Sequence, residues 1–330
     1  AYEIYMGDWS SDVCSSELGF GGEESPGHGT FYIGYREVDP VLQADFDYSA
    51  CALNSGDEFT CGGSGTTDPA HFFTSFDPTA TCPGGGCVVT AGGGLRPYSG
   101  ATDAYNFGPL NYYQRPDERY AAGVFMSYDA SETSQVYSEI MFMDDRSVAQ
   151  IAPSGAFFAE VDVNCDNPLL STQQVQEFCA AGGLGPTDLT TLFVGRRNTE
   201  GGGRQDDIGH QAFRGVVGVR GEFGPSSAFN WDASFQHGQT ERSSTYLNDF
   251  SIVRLGRALQ VRIDDRTDPD TGGPLDPATF GTPQCVALLE GTDPNCVPWN
   301  IFTPGGVSPE SLTYLQTYME IGRASCRERV

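Results

Sequence analysis

The sequence alternates most strictly in two neighbouring stretches, FRGVVGVRGEF at Phe213–Phe223 and FNWDASFQH at Phe229–His237. In each stretch every second residue is apolar, aromatic or small, and the residues between them are mostly polar or charged. A period of two is typical of a β-strand, because successive side chains point to opposite faces of the sheet. The two stretches therefore predict a hairpin with one apolar and one polar face.

Three more segments alternate in the same way, namely Thr30–Val38, Tyr120–Tyr128 and Gln135–Met143. The connections between the alternating segments are of two kinds. Short ones, rich in the Gly, Ser, Pro and Asp that turns require, lie at Ser25–Gly29, Asp129–Thr133 and Gly224–Ala228. Long ones lie at Asp39–Glu118, Arg146–His210 and Thr240–Pro309. Short and long connections that alternate regularly are typical of a transmembrane β-barrel with periplasmic turns and extracellular loops.

Composition limits the classes of function. The formal net charge is −26 and every basic residue is Arg, so nucleic acid, which needs clustered cations, is not an expected partner. No apolar run approaches the roughly 18 residues that a membrane helix requires. The abundant Gly and aromatic residues favour a β-rich chain with long loops.

Both termini look foreign to the rest of the chain. Residues 1–18 and 320–330 resemble translated sequencing adapters, and such segments must be left out of fold reasoning. We therefore expect residues 19–319 to be an internal fragment of a longer protein. About six strands are visible in it, which predicts an all-β fold, a partial antiparallel transmembrane barrel.

Eight cysteines lie in the long connections and form four close pairs. These are Cys51 with Cys61, Cys82 with Cys87, Cys165 with Cys179, and Cys285 with Cys296. Local pairing predicts four disulfides and an oxidising compartment. We expect the loops to have little core of their own, so that the disulfides order them. Zinc is the alternative, because Cys82 and Cys87 have a possible ligand spacing, although no His lies within ten residues of them.

Three motifs carry a resemblance to a known family. They are YNFGPLNYYQRPDERY at 105–120, YSEIMFMDDR at 137–146, and CVPWNIF at 296–302 followed by GGVSPE at 305–310. With these motifs the chain resembles TonB-dependent outer-membrane receptors of sphingomonad- and caulobacter-like bacteria. The resemblance implies a barrel of about 22 strands around a plug domain, with the plug and the TonB-contact segment upstream of this fragment.

Candidate site residues follow from the strand faces. Glu139, Arg214, Arg220 and Glu222 are predicted to line the lumen, because charge facing lipid costs about 2–4 kcal/mol near mid-membrane. The acidic run at 264–276 is either a solvated loop or a calcium site without the full EF-hand spacing. Aromatic residues of the first long connection could contact sugars or siderophores; these are Phe72, Phe73, Phe76, Tyr98, Tyr105 and Phe107.

The sequence thus predicts an outer-membrane receptor of a Gram-negative bacterium that takes up a scarce nutrient. Its expected partners are outer-membrane lipid, the TonB complex and a small-molecule or oligomeric nutrient. No catalytic residues, cofactor or metal are expected, because the four His accompany no nucleophile motif. The alternative is a secreted, disulfide-stapled, β-rich adhesin or glycan-binding module. The substrate stays open.

Overall fold

The computed structural model describes residues 11–21, 25–74, 82, 86–224 and 229–329, with side chains described from 14 to 316 within these ranges. The described chain is mostly β, with 51% of residues in strands and 15% in helices. In chain order the strands are β1 (Ser11–Phe20), β2 (Gly27–Val38), β3 (Val41–Leu42), β4 (Leu53–Asn54), β5 (Thr60–Cys61), β6 (His71–Thr74), β7 (Cys87–Val89), β8 (Leu95–Pro97), β9 (Tyr112–Gln114), β10 (Asp117–Ser131), β11 (Ser134–Pro153), β12 (Gly155–Asn164), β13 (Leu189–Arg197), β14 (Gly203–Phe223), β15 (Phe229–Phe250), β16 (Val261–Ile263), β17 (Pro283–Cys285) and β18 (Gln316–Arg329).

Seven long strands form one antiparallel sheet, called here the large sheet, in the order β1-β2-β10-β11-β14-β15-β18. It contains all five alternating segments, and over the described residues it is open, with β1 and β18 at its edges. Strands β11, β14 and β15 have 20, 21 and 22 residues, so they reach well into the stretches predicted to be long loops. At the opposite end, only Glu132 and Thr133 separate β10 from β11.

The pairing register places the apolar positions of neighbouring strands side by side. Val136 of β11 lies opposite Val219 of β14, which lies opposite Ala233 of β15. Their common side is called the apolar face. Across β1, β2, β10, β11, β14 and β15, its exposed members are Leu18, Phe20, Phe31, Ile33, Tyr120, Met126, Tyr128, Val136, Ile140, Phe142, Phe213, Val217, Val219, Phe223, Phe229, Trp231 and Phe235.

The long connections, residues 39–116, 154–202 and 251–315, form a second unit that is called here the loop body. It contains a five-stranded sheet in the order β12-β13-β6-β7-β8 and the pairs β3-β9, β4-β5 and β16-β17. Its helices are α1 (Gly100–Asp103), α2 (Thr172–Phe178), α3 (Ile252–Leu259), α4 (Val286–Leu289) and α5 (Pro309–Leu315). Among the described residues, no helix is long and apolar enough to cross a membrane.

The hydrophobic core of the protein lies in the loop body, and the expectation that the loops have little core of their own is wrong. Phe72 stacks on Phe302 with ring centroids 5.6 Å apart, and Trp299 is fully buried against Phe250. The core draws on all three long connections. Helix α3 buries Leu255, Ala258 and Leu259, which have the i, i+3, i+4 spacing of one helix face.

The two terminal segments predicted to be foreign lie at the edges of the large sheet. β1 pairs with β2 along its whole length, and β18 pairs with β15. The backbone of residues 11–18 and 320–329 is therefore extended and hydrogen-bonded. Residues 1–10 and 330 lie outside the described part. That these segments derive from adapters stays a prediction.

Two Phe→Ala variants should separate the core from the large sheet. Phe302→Ala removes a ring that is 0% exposed and should cost about 3–5 kcal/mol. Phe235→Ala removes a ring that is 55% exposed on the apolar face and should leave the unfolding of the loop body within about 0.5 kcal/mol. Emission from the buried Trp299, followed during denaturation of the full chain with Trp9→Phe and Trp231→Phe, measures both. Equal losses would contradict the location of the core.

Candidate functional site

The face of the large sheet opposite the apolar face is polar and internally hydrogen-bonded. On this polar face the Tyr137 ring covers Gly218, where a Cβ atom would lie 2.4 Å from the ring. The Tyr137 hydroxyl donates to Asp232 at 2.8 Å, and the Arg220 guanidinium lies 5.3 Å from the ring centroid. Gly218 therefore leaves room for an aromatic ring that connects three strands on this face.

The four residues predicted to line the lumen all belong to the polar face. Arg214 donates to Glu139 at 3.0 Å and to the Gln236 side chain at 3.1 Å. Arg220 and Glu222 both line a groove of about 960 Å³ beside the β10–β11 turn. On this face Arg214 and Glu139 thus form an ion pair, and Arg220 and Glu222 form part of the wall of a groove. Whether this face encloses a lumen stays a prediction.

Aromatic residues mark both ends of the apolar face. At the end nearer the loop body, the rings of Tyr35 and Tyr120 lie 4.9 Å apart, and their hydroxyls donate to Glu37 and Glu118. At the other end, Phe223 and Phe229 stack at 5.2 Å, near Tyr128 and Trp231. The rings at the loop end thus have a polar tip and an apolar body.

The structure joins the four cysteine pairs that the spacing predicts. The Cα atoms lie 5.6 Å apart in Cys51–Cys61, 5.3 Å in Cys82–Cys87 and 6.0 Å in both Cys165–Cys179 and Cys285–Cys296. These distances are typical of disulfides. The last three bonds are part of the hydrophobic core, whereas Cys51–Cys61 joins the small pair β4-β5 outside it. Each disulfide closes a loop within one connection.

A possible metal cluster occurs at one disulfide. The sulfurs of Cys82 and Cys87 and a carboxylate oxygen of the buried Glu177 lie within 4.8 Å of one another. Metals are bound by the thiolate, and a disulfide sulfur is no longer one. In this oxidised state the cluster is therefore not a zinc site.

The acidic loop at 264–276 uses its carboxylates to hold its own conformation. Asp264, which is 1% exposed, receives Arg266 Nε at 2.8 Å, Arg266 Nη2 at 2.9 Å and the Thr279 hydroxyl at 2.6 Å. The Arg266 guanidinium holds the pKa of Asp264 well below its usual range. Asp268 accepts the backbone N–H groups of Asp270 and Thr271. These contacts favour a hydrogen-bonded solvated loop.

The candidate aromatic residues of the first connection do not form one surface. Phe72 is a core residue, while Phe107 is exposed. Phe73 and Tyr98 both contact the ring of His71, which stacks on Tyr98 with ring centroids 4.2 Å apart. Phe76 lies outside the described residues. Some of these aromatic residues therefore have a structural role in the core, and others are accessible at the surface.

Tyr105 belongs to a cluster that the sequence did not reveal, called here the arginine–aromatic cluster, made of Tyr105, Phe157, Arg197 and Arg204. The Arg197 guanidinium carbon lies 5.0 Å from the Tyr105 centroid and 4.7 Å from that of Phe157, and the Arg204 carbon lies 5.3 Å from Phe157. Tyr105 comes from the first long connection, Phe157 and Arg197 from strands β12 and β13 of the second, and Arg204 from β14, so no local sequence motif could reveal the cluster.

Comparison with protein-family models, curated proteins and solved structures finds no match to this chain. The function is therefore argued from the two faces of the large sheet, the loop body and the arginine–aromatic cluster.

Removal of one core disulfide tests the role of these bonds. Replacing Cys165 and Cys179 together by Ser should destabilise the loop body by about 3 kcal/mol, because the bond closes a loop with a sequence separation of 14 residues. Cys14→Ser, at an exposed free cysteine, is the matched control and should change nothing. The readout is denaturant unfolding followed by Trp299 emission in a Trp9→Phe, Trp231→Phe background. An unchanged midpoint in the double variant would contradict the account.

The ion pair of Asp264 predicts a pH dependence. Because Arg266 lowers the pKa of Asp264 below its ordinary value of 3.8, the ionised carboxylate stabilises the fold above that pH, and the contribution shrinks as the pH falls below it. Asp264→Asn should lower the melting temperature by a constant amount between about pH 5 and pH 8, and the gap should narrow below about pH 4. Asp270→Asn in the same loop is the control. A gap that is independent of pH would refute the ion pair.

Proposed function

We propose that this chain is part of an outer-membrane receptor of a Gram-negative bacterium that imports a scarce nutrient. The observation that carries the proposal is the apolar face, which is exposed and unbroken across the five strands β2, β10, β11, β14 and β15. Water-soluble proteins rarely expose contiguous apolar surface of this extent. Lipid is the occupant we propose, because the face is large, and the hydrophobic core of the protein lies elsewhere.

The height of the apolar face supports this assignment. From Tyr120 to Tyr128 the strand rises through eight residues, about 27 Å at roughly 3.4 Å per residue. From Phe213 to Phe223 it rises through ten residues, about 34 Å. With the strand tilt of about 40° that is usual in membrane barrels, these lengths give about 21–26 Å of membrane depth. The apolar band of outer-membrane barrels is about 25 Å tall.

Charge and aromatic residues are distributed as a bilayer would require. On the described strands, no Asp, Glu or Arg occupies an apolar-face position within Tyr120–Tyr128, Val136–Phe142 or Phe213–Phe223. Amphipathic rings at both ends of the face suit the two membrane interfaces, where an apolar body lies in lipid and a polar tip in water. The charged pair Arg214–Glu139 lies on the opposite face.

The loop body supports the orientation of the receptor. Outer-membrane barrels carry long connections on the external side and short turns in the periplasm, so the loop body suits the external side. Its four disulfides suit the oxidising surroundings of the outer membrane. The short β10–β11 turn then faces the periplasm. In this proposal the polar face, with Glu139, Arg214, Arg220 and Glu222, lines the lumen of a barrel completed by strands beyond this chain.

The motifs at 105–120, 137–146 and 296–310 add the TonB-dependent class to the proposal by resemblance. TonB would act on an upstream plug, and the chain itself would carry binding and transport without enzyme chemistry or a cofactor. The competing proposal is a secreted, disulfide-stapled adhesin or glycan-binding module. An adhesin would leave the membrane fraction without detergent, whereas a barrel would not.

Tryptophan quenching tests the proposed lipid contact. Of the three Trp residues, Trp231 is 37% exposed on the apolar face and Trp299 is buried in the loop body. In full-length Trp9→Phe protein reconstituted into vesicles, lipids brominated near the headgroup should quench the Trp231 emission. Adding Trp231→Phe should remove the quenched component and leave that of Trp299. Quenching of Trp231 by aqueous iodide alone would refute the lipid contact.

A further inference from the structure

Two neighbouring arginines of β13 occupy contrasting surroundings. Arg196 is 3% exposed and forms ion pairs with Glu200 at 2.5 Å and with Asp68 at 3.2 Å. Arg197 is 4% exposed, yet among the described residues no carboxylate lies within ion-pair distance of it. The two side chains leave opposite faces of the strand, so the acids that serve Arg196 do not serve Arg197.

A buried cation without an anion costs free energy, and the surroundings of Arg197 increase that cost. Burial lowers the pKa of Arg197, and the nearby Arg204 lowers it further by repulsion. Acidic residues outnumber Arg by 44 to 18 in this chain, so a carboxylate partner would be easy to supply. Among the described residues, neither Arg197 nor Arg204 has a carboxylate within ion-pair distance. We therefore expect their positive charge to be balanced by an anion from outside the chain.

The backbone holds the two guanidiniums next to each other. Arg197 Nη1 donates to the carbonyl oxygen of Pro153 at 2.9 Å, and Arg204 Nε donates to that of Ala152 at 3.1 Å. These consecutive carbonyls end β11, so the two side chains are fixed side by side before any ligand arrives. Arg197 Nε is buried and has no hydrogen-bond partner among the described residues. Buried donors without a partner are rare in folded proteins, so this one requires an explanation.

The aromatic part of the cluster is accessible, and the residue that follows Phe157 has a strained backbone. Strands β12 and β13 pair regularly up to Phe157 and resume at Ala159, so Phe158 is the extra residue of a β-bulge. Its φ of 51° is an uncommon conformation for a bulky side chain, and such strain occurs often at binding sites. The bulge leaves the Phe157 ring 46% exposed while it packs on Arg197. The Arg197 guanidinium therefore packs against an aromatic ring that is itself exposed.

We propose that the arginine–aromatic cluster binds a small molecule in which a carboxylate is attached to a ring. The carboxylate accepts hydrogen bonds from Arg197 and Arg204 once the Phe157 side chain moves aside, and the ring packs against Phe157 and Tyr105. Guanidinium groups suit carboxylates because their planar donors match two oxygens. Acidic sugars and aromatic acids share this chemistry. The inference that such a molecule is the transported nutrient rests on the proposed uptake function.

Binding to the full chain in detergent tests the site without requiring a bilayer. The probes are D-glucuronate and benzoate, with D-glucose and benzamide as uncharged controls, measured by titration calorimetry. At least one acid should bind saturably and its uncharged control should not. Arg197→Gln and Arg204→Gln should each weaken the Kd at least about tenfold, because a charge-assisted hydrogen bond is lost.

Arg254→Gln is the matched control, because Arg254 also packs on an aromatic ring, 5.5 Å from Tyr314, in another part of the loop body. It should bind the acid as the unchanged chain does. Arg204 is only half-buried, so Arg204→Gln should fold even if Arg197→Gln does not, and Trp299 emission reports folding of both. The acid that binds identifies the ring as a sugar or an aromatic ring.

Failure of both acids to bind, or unaltered affinity in a folded Arg204→Gln protein, would overturn the site. Lipid quenching of Trp231 would be unaffected by that result, so the failure of this inference and the failure of the receptor proposal are distinguishable.

Discussion

The period of two in the long strands is the constraint on which the rest of the structure depends. A slip of one residue between β11 and β14 would carry Val217 and Val219 to the polar side and bring Arg220 among the apolar rings. The observed register instead aligns apolar with apolar and polar with polar across β2, β10, β11, β14 and β15. Contacts such as Tyr137 on Gly218 and Arg214 with Glu139 reinforce this choice, since each requires the register that the faces demand.

The sheet and the loop body solve different physical problems. In water the large sheet cannot bury its apolar face, because no second layer of the described chain covers it. The loop body closes its own core around Phe72, Trp299 and Phe302, and three disulfides lie within that core. In the proposed receptor, this division would let the loop body keep its shape independently of the lipid around the strands. The arginine–aromatic cluster lies where β11 and β14 enter this body.

The sequence predicted the strands and disulfides well because both depend on local pattern. Phe213–Phe223 and Phe229–His237 carry their faces in their own alternation, and Cys165 and Cys179 are close along the chain. The core of the loop body was missed because its members are dispersed: Phe72 meets Phe302 only through folding. Arg197 was missed for the same reason, since neither the burial of a charge nor the absence of its partner is visible along a strand. Strands β11 and β15 were also predicted too short. They continue to Pro153 and Phe250, where polar residues interrupt the apolar alternation.

Accessibility along β14 and β15 tests the central claim that the two faces of the large sheet meet lipid and water respectively. Single spin labels would be placed by Val217→Cys, Val219→Cys, Ala233→Cys and Ser234→Cys in the proposed intact receptor that contains residues 19–319, reconstituted in bilayers. The account predicts that labels at 217, 219 and 233 relax with oxygen dissolved in lipid, while the label at 234 relaxes with a water-soluble nickel chelate. Equal accessibility of both sets to both reagents would contradict it.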